Sequence, residues 1–133
     1  MRTVRDVMSG DIEVLRTTES VTEAACYLAT HDEDEVPLCL SDGSLAGMVS
    51  ARDIVAKVVA KGLDPREVTL AELAVPADAL ALDVGIPVEE AVAIMARHQR
   101  ARLPVTEGDR VVGLVTRRDM ARSLAFIPPW GDD

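Results

Sequence analysis

At 133 residues the chain has the length of one ordinary domain, and halves of about 60 residues would each be marginal alone, so a shared core is expected. Hydrophobic residues make up 48%, yet Tyr27, Phe126 and Trp130 are the only aromatics, which leaves Ala, Val, Leu, Ile and Met to build that core. A net charge of −9 opposes binding to nucleic acid, no run approaches the roughly 20 apolar residues of a membrane helix, and MRTVRDVMSGD lacks a secretory stretch, so a cytoplasmic protein is expected.

In chain order, an extended stretch at Ile12 to Leu15 leads into a helix whose apolar stripe is Val21, Ala24, Ala25, Leu28 and Ala29, spaced i, i+3, i+4, i+7 and i+8. Ser20 and Glu23 have the spacing of a capping box at its start. VPLCL, the turn SDG and SLAGMV read as a hairpin, and a second helix turns Ile54, Val55, Val58 and Val59 inward. AKGLDPREVTLAEL then supplies a stop at Gly62, a turn at Asp64-Pro65 and a short helix at Leu70 to Ala74.

The series begins again with an extended stretch at Ala79 to Leu82 and a helix that opens with Pro87 as its first residue and carries Val88, Ala91, Val92, Met95 and Ala96. RLPV, EGD and RVVGLV form the second hairpin, and Met120, Ala121, Leu124 and Ala125 are the inward face of the last helix. The ending IPPWGDD reads as extended, with Trp130 available to dock on a neighbouring surface.

The pattern β-α-β-β-α therefore occurs twice, an α+β arrangement. Val21, His31 and Pro37 recur as Val88, His98 and Pro104 at a shift of 67, and Gly47, Arg52 and Asp53 recur as Gly113, Arg118 and Asp119 at a shift of 66, one residue having been lost in a turn. The chain divides into a first copy at 1–62, a connector at 63–74, a second copy at 75–125 and an extended tail at 126–133. Twin copies of this size pack about a pseudo-twofold axis, and the groove between twins is a natural seat for a small molecule.

GMVSARD (Gly47 to Asp53) and GLVTRRD (Gly113 to Asp119) stand at equivalent strand-to-helix junctions. Two readings apply. Ser50 with Asp53, and Thr116 with Asp119, have the spacing that closes a helix N-terminus. The same geometry suits a ligand, because first-turn N–H groups and the helix dipole attract phosphate while a carboxylate accepts from ribose hydroxyls. Capping alone does not ask for Gly at the strand end or Arg before the Asp, which favours a ligand at the second copy.

Charge separates the copies. Residues 31 to 56 carry Asp32, Glu33, Asp34, Glu35, Asp42 and Asp53 against Arg52, whereas residues 97 to 122 carry Arg97, Arg100, Arg102, Arg110, Arg117, Arg118 and Arg122 against Glu107, Asp109 and Asp119. His31 and His98 end equivalent helices, where they suit the dipole. Cys26 and Cys39 read as buried small hydrophobes in a reducing compartment, not as a disulfide framework. The HDEDE run (His31 to Glu35) with Cys39 nearby is either a solvated turn, a partner surface or a divalent-cation site.

Two β-α-β-β-α copies, each with a Pro opening its second strand and each closing in Gly-h-h-[Ser/Thr]-x-Arg-Asp, where h is apolar, resemble a pair of CBS domains, the tandem called a Bateman module. More narrowly, ARDIVAKVVAKGLDP followed by LAEL is similar to the small stand-alone two-CBS proteins of actinobacteria of the hypoxic-response type. The resemblance implies a non-enzymatic regulatory protein that binds AMP, ADP, ATP or S-adenosylmethionine in the cleft between the copies. It also implies a disc-shaped homodimer.

Carried over by that resemblance, the closing Asp binds ribose, the Ser or Thr binds phosphate, and residues of the first strand and just before the Pro enclose adenine. The second site would then use Asp119, Thr116, Arg118, Ala81, Arg102 and Pro104, and the first site Asp53, Ser50, Arg52, Val14, Glu35 and Pro37. Acidic charge at the first should repel a phosphate by about 1 kcal/mol or more per close like charge, so one nucleotide per chain is expected, at the second. Arg100, Arg102, Arg117 and Arg118 suit phosphate oxygens there.

Three other roles stand beside this one. The charge asymmetry suits a head-to-tail dimer in which the acidic copy of one chain meets the basic copy of another. A structural or protein-interaction module with vestigial ligand sites is the first alternative, with an unknown protein partner, and a metal-binding stress protein using the HDEDE acids is the second. An enzyme is not expected, since neither copy pairs a nucleophile with an oriented base, and no catalytic cofactor or metal is called for.

Overall fold

Helical stripes and hairpin patterns yield the elements in the expected order. The computed structural model describes residues 2–73 and 80–125, and side chains as far as Ser123. A short helix α1 (Val4–Val7) precedes the first copy, which consists of β1 (Leu15–Arg16), α2 (Val21–His31), β2 (Glu35–Cys39), β3 (Leu45–Ser50) and α3 (Ala51–Ile54), the last running on into a π-helical turn at Val55–Val59. A 3₁₀ turn at Leu70–Glu72 leads to the second copy: β4 (Leu82–Asp83), α4 (Val88–Arg97), β5 (Arg102–Glu107), β6 (Arg110–Thr116) and α5 (Arg117–Ala125). Ala79, the connector end at Ala74, the tail with Phe126 and Trp130, and the side chains of Leu124 and Ala125 lie outside the described residues.

Each copy folds a three-stranded sheet, ordered β1-β2-β3 in one and β4-β5-β6 in the other. The first strand is parallel to the second, and the second antiparallel to the third. The first strands are shorter than expected and begin later. With Leu15 opposite Leu38, the next pair back would be Val14 with Pro37, and with Leu82 opposite Val105 it would be Ala81 with Pro104. A proline has no N–H to give the ladder, so pairing stops there.

The compact units divide the chain differently from the repeat boundaries. The described residues of Met1–Ile12 and Leu80–Asp133 form one unit and those of Glu13–Ala79 the other. In the second-copy unit Val4 is fully buried among Leu82, Val88, Met95, Leu103, Val105, Val115 and Met120. There the Val4 N–H donates to the Ile86 carbonyl at 2.9 Å, the Val88 N–H to the Arg2 carbonyl at 3.0 Å, and Ser9 and Leu114 exchange bonds of 2.8 and 3.0 Å. In the first-copy unit the connector's Val68, Leu70 and Leu73 join Val21, Leu28, Val36, Leu38, Val49, Ile54 and Val58. The lead-in of each copy, residues 2–12 for the first and the connector residues 63–73 for the second, thus contributes to the core of the other.

Lead-ins also start the helices. The first N–H of α2, at Val21, donates to Val68 O at 2.9 Å and that of Thr22 to Pro65 O at 3.1 Å. Backbone carbonyls replace the Ser20–Glu23 capping box, which does not form: Ser20 is the N-cap, but its side chain makes no cap bond. Pro87, expected as the first helical residue, is the N-cap of α4, so the helix starts one residue later, at Val88. The lead-ins themselves carry matching boxes, Thr3 N–H to Asp6 Oδ2 at 2.8 Å and Thr69 N–H to Glu72 Oε2 at 2.9 Å. The first bond holds the Asp6 carboxyl below the ordinary range.

Several inward assignments are corrected. Val55 and Val59 are 58% and 62% exposed, while Ile54 and Val58 are buried, because the helix offers the core one line of side chains and the four-residue stripe is wider than the surface available. Ala29, Ala96 and Ala121 are exposed at the margins of their stripes for the same reason. Cys39 is buried but Cys26 is exposed, lying roughly 140° around α2 from Val21. No helix among the described residues is long and apolar enough to cross a membrane.

Gly113 lies where the lead-in crosses β6. A Cβ there would meet Met8 Sδ at 2.6 Å and the Ser9 carbonyl oxygen at 2.9 Å. Gly113→Ala is therefore expected to lower stability by about 1–3 kcal/mol, read as a fall in the urea midpoint, and an unchanged midpoint would contradict this packing. Gln99 and Asp32 end α4 and α2 with left-handed φ of 54° and 53°. Replacing Gln99 by Gly should raise stability by about 1 kcal/mol in the same measurement.

Candidate functional site

Both strand-to-helix junctions close in the same way. In the first copy Asp53 N–H donates to Ser50 Oγ at 3.0 Å and Ser50 N–H donates to Asp53 Oδ2 at 3.1 Å. In the second, Asp119 N–H donates to Thr116 Oγ1 at 3.0 Å and Thr116 N–H to Asp119 Oδ2 at 3.1 Å. The first helical N–H is taken as well: Ala51 donates to Asp34 O at 2.9 Å and Arg117 to Ala101 O at 2.7 Å. Three of the four leading donors at each junction are thereby used by the protein itself, and the N–H of Arg52 or Arg118 is the one left over among the described residues.

The capping reading is thus realised in both copies, and the helix N-terminus is a poor phosphate cradle. Gly113 also has its reason in the Met8–Ser9 crossing, and Gly47 in its φ of 149°, a region that favours glycine. Neither glycine argues for a ligand. What remains for one is the Thr116 hydroxyl hydrogen and the second oxygen of Asp119.

The surroundings of the two junctions differ in charge. Glu35 lies directly opposite Ser50 across the β2–β3 pair, and Arg102 directly opposite Thr116 across β5–β6. Facing residues in such a pair have Cβ atoms about 4.5–5.5 Å apart, so the residue that faces the capping hydroxyl's own is acidic in one copy and basic in the other. Asp53 also has Lys57 Nζ 3.7 Å from its Oδ1, whereas Ser123 occupies the equivalent place on α5.

The remaining positions gather around these. Pro37 and Pro104 are buried two pairs along from Glu35 and Arg102 on the same strand face, and Val14 and Ala81 stand beside them where the ladder stops. Ala81, Arg102, Pro104, Thr116, Arg118 and Asp119 fall in one unit, and Val14, Glu35, Pro37, Ser50, Arg52 and Asp53 in the other. Arg52 and Arg118 are exposed.

One cavity in the second-copy unit was not foreseen. It measures about 300 Å³ and is lined by Arg2, Val7, Asp119, Arg122 and Ser123. Arg122 and Ser123 follow Asp119 at i+3 and i+4 on α5, a spacing visible in the chain. Arg2 and Val7 were out of reach of such reading, because they arrive through the lead-in.

The histidines behave as helix ends. His31 Nδ1 lies 3.0 Å from the Tyr27 carbonyl oxygen and its ring stacks on Tyr27 with centroids 4.3 Å apart, while His98 is exposed just past α4. In the HDEDE run Asp32 and Asp34 are exposed around a left-handed turn. No group of three or more His, Cys, Asp or Glu among the described residues is placed to hold a metal ion.

Comparison with known proteins gives a consistent picture. The CBS domain family matches residues 4–60 and 71–126. Hypoxic response protein 1 of Mycobacterium tuberculosis is 40% identical over 125 residues, covering 93% of this chain and 86% of that protein. The crystal structure of Hypoxic Response Protein I with two coordinated zinc ions superposes with a TM-score of 0.82 at 39% identity, covering 91% of this chain and 98% of that one. The crystal structure of CBSX2 in complex with AMP superposes with a TM-score of 0.81 at 23% identity over 96% of this chain and 98% of that one.

If the Thr116–Asp119 box serves first to close α5, Thr116→Ala should lower stability by about 1 kcal/mol while Thr116→Ser leaves it unchanged, as measured by chemical denaturation. Equal losses from both substitutions would point to the methyl group and against the cap.

Proposed function

The chain belongs to the CBS-domain family, with two CBS domains in tandem, and from that premise we propose that it is a non-catalytic regulatory module that takes one adenosyl nucleotide at its second copy. The observation that carries this reading is the exchange of Glu35 for Arg102 opposite the capping hydroxyl. A phosphate beside Glu35 would be repelled, and one beside Arg102 gains a charge-assisted hydrogen bond.

In this reading Asp119 keeps Oδ2 on the Thr116 N–H and turns Oδ1 to the ribose hydroxyls, while the Thr116 hydroxyl donates to the ligand and still accepts from Asp119 N–H. Ala81, freed from the ladder by Pro104, offers backbone polar groups to the edge of the base, and Pro104 an apolar surface. Arg118 supplies positive charge from the solvent side. The AMP found in the CBSX2 complex supports the ligand class. Binding would act by population shift, favouring whichever conformation holds the nucleotide better and so changing the surface offered to a protein partner or to a second copy of the chain.

Zinc does not enter this reading, although the Hypoxic Response Protein I structure has it. No three His, Cys, Asp or Glu side chains among the described residues are grouped to hold a metal ion.

Calorimetric titration with AMP, ADP, ATP and S-adenosylmethionine tests the proposal, since a ligand selective for the folded state also raises the melting temperature. One nucleotide per chain is expected. Asp119→Asn, which keeps an oxygen to cap α5, should abolish binding, and Asp53→Asn should leave it intact. Two equal sites, no site, or the reverse pattern in the variants would refute it.

A further inference from the structure

The two corners at which a copy's first helix hands over to its second strand share one backbone design and carry opposite charge. In the first copy the turn after α2 passes through Asp32 at a φ of 53°, and the Asp34 carbonyl accepts from the Ala51 N–H at the start of α3 at 2.9 Å. In the second the turn after α4 passes through Gln99 at a φ of 54°, and the Ala101 carbonyl accepts from the Arg117 N–H at the start of α5 at 2.7 Å. We propose that these corners are the two halves of one interface, in which the acidic corner of one chain docks on the basic corner of a second copy. The contact is independent of the nucleotide site.

Residues 30–35 with the helix start at 51–52 carry Asp32, Glu33, Asp34 and Glu35 against Arg52, whereas residues 97–102 with 117–118 carry arginines at 97, 100, 102, 117 and 118 and no acid. Asp32, Asp34, Arg97, Arg117 and Arg118 are exposed, and the side chains of these five make no ion pair among the described residues. Like charges gathered at one corner repel each other, and an opposite charge laid against them relieves that repulsion. The acids do not converge on a metal site among the described residues, so a broad basic surface suits them better than a single cation.

The chain itself supplies that surface. By the repeat, Asp32 and Asp34 correspond to Gln99 and Ala101, which are exposed and uncharged, while the exposed arginines flank them at the end of α4 and the start of α5. The exposed charges of the two corners are therefore staggered: acids on the turn in one, bases on either side of the turn in the other. An acidic turn laid on the basic corner sets its carboxylates between guanidinium groups, whose planar donor sets suit them. Other occupants satisfy less. A net charge of −9 works against nucleic acid at the basic corner, and a basic peptide would answer the acidic corner alone. A second copy answers both, and the charges also fix which corner meets which.

Sedimentation velocity on the full chain reads the contact. Raising the salt from about 0.1 M to about 1 M shortens the reach of exposed charges from about 10 Å to about 3 Å, and should weaken self-association by about 10-fold or more. At the lower salt, reversing the basic corner (Arg97→Glu with Arg117→Glu) or the acidic one (Asp32→Asn with Asp34→Lys, asparagine tolerating the left-handed turn) should weaken it by a similar factor. An equimolar mixture of the two variants should recover association, because each reversed corner then faces a reversed partner. Urea midpoints check that both variants fold, and the milder Asp34→Asn and Arg97→Gln should move association in the same direction by less. A parent chain that stays monomeric, association indifferent to salt, reversals that leave it unchanged or strengthen it as pairing of like corners would, or a mixture no better than either variant alone, would each overturn the interface and leave the nucleotide reading in place.

Discussion

Each core includes residues from outside its own repeat, and this exchange of lead-ins is the constraint on which the rest depends. Val4 enters the second-copy core with no exposed surface, and Val68, Leu70 and Leu73 enter the first. A residue buried in this way contributes roughly 1.5–3 kcal/mol relative to leaving it in water, a large share of the margin of any small domain. The backbone gains too, because carbonyls of the lead-ins accept from the first N–H groups of α2 and α4. The unit that folds is therefore a copy plus a borrowed segment.

The two junctions show how one local device is kept for folding while its surroundings diverge. Ser50 with Asp53 and Thr116 with Asp119 make the same pair of bonds within 0.1 Å of 3.0 Å, so the cap is common to both. What distinguishes them is charge around that shared box, such as Glu35 against Arg102 across the strand pair and Lys57 against Ser123 along the helix. At about 4 Å a unit charge is worth about 1 kcal/mol in water and about 4 kcal/mol near a protein surface. One such exchange is enough to give the two junctions opposite preferences for an anion.

Much of this was legible in the chain because it is local. The stripes Val21-Ala24-Leu28 and Val88-Ala91-Met95, the two hairpins and the Ser/Thr-x-x-Asp spacing rest on neighbours within four residues or on short turns, and each occurs where expected. What escaped is non-local. The start of β1 and β4 is set by which residue faces Pro37 or Pro104, a matter of register. The Ser20–Glu23 spacing promised a box that the connector's carbonyls pre-empted, and the width of the Ile54–Val59 stripe gave no sign that only Ile54 and Val58 would find a partner surface. Gly113 seemed to speak for a ligand and instead speaks for the Met8–Ser9 crossing.

The same non-locality ties stability to recognition in the second copy. Arg2 and Val7 line the cavity only while α1 is docked, and α1 is a four-residue helix whose place depends on Val4, on the Ser9–Leu114 bonds and on the exposed Arg5–Glu107 pair at 2.7 Å. That ion pair is worth little by itself, and so short a helix has no stability of its own. In the proposed reading, any ligand that enters this cavity meets residues of the lead-in as well as of α5, so it favours the docked form and its free energy of binding adds to the docking of the lead-in. Occupancy and closure of the second-copy core are then, in that reading, one equilibrium.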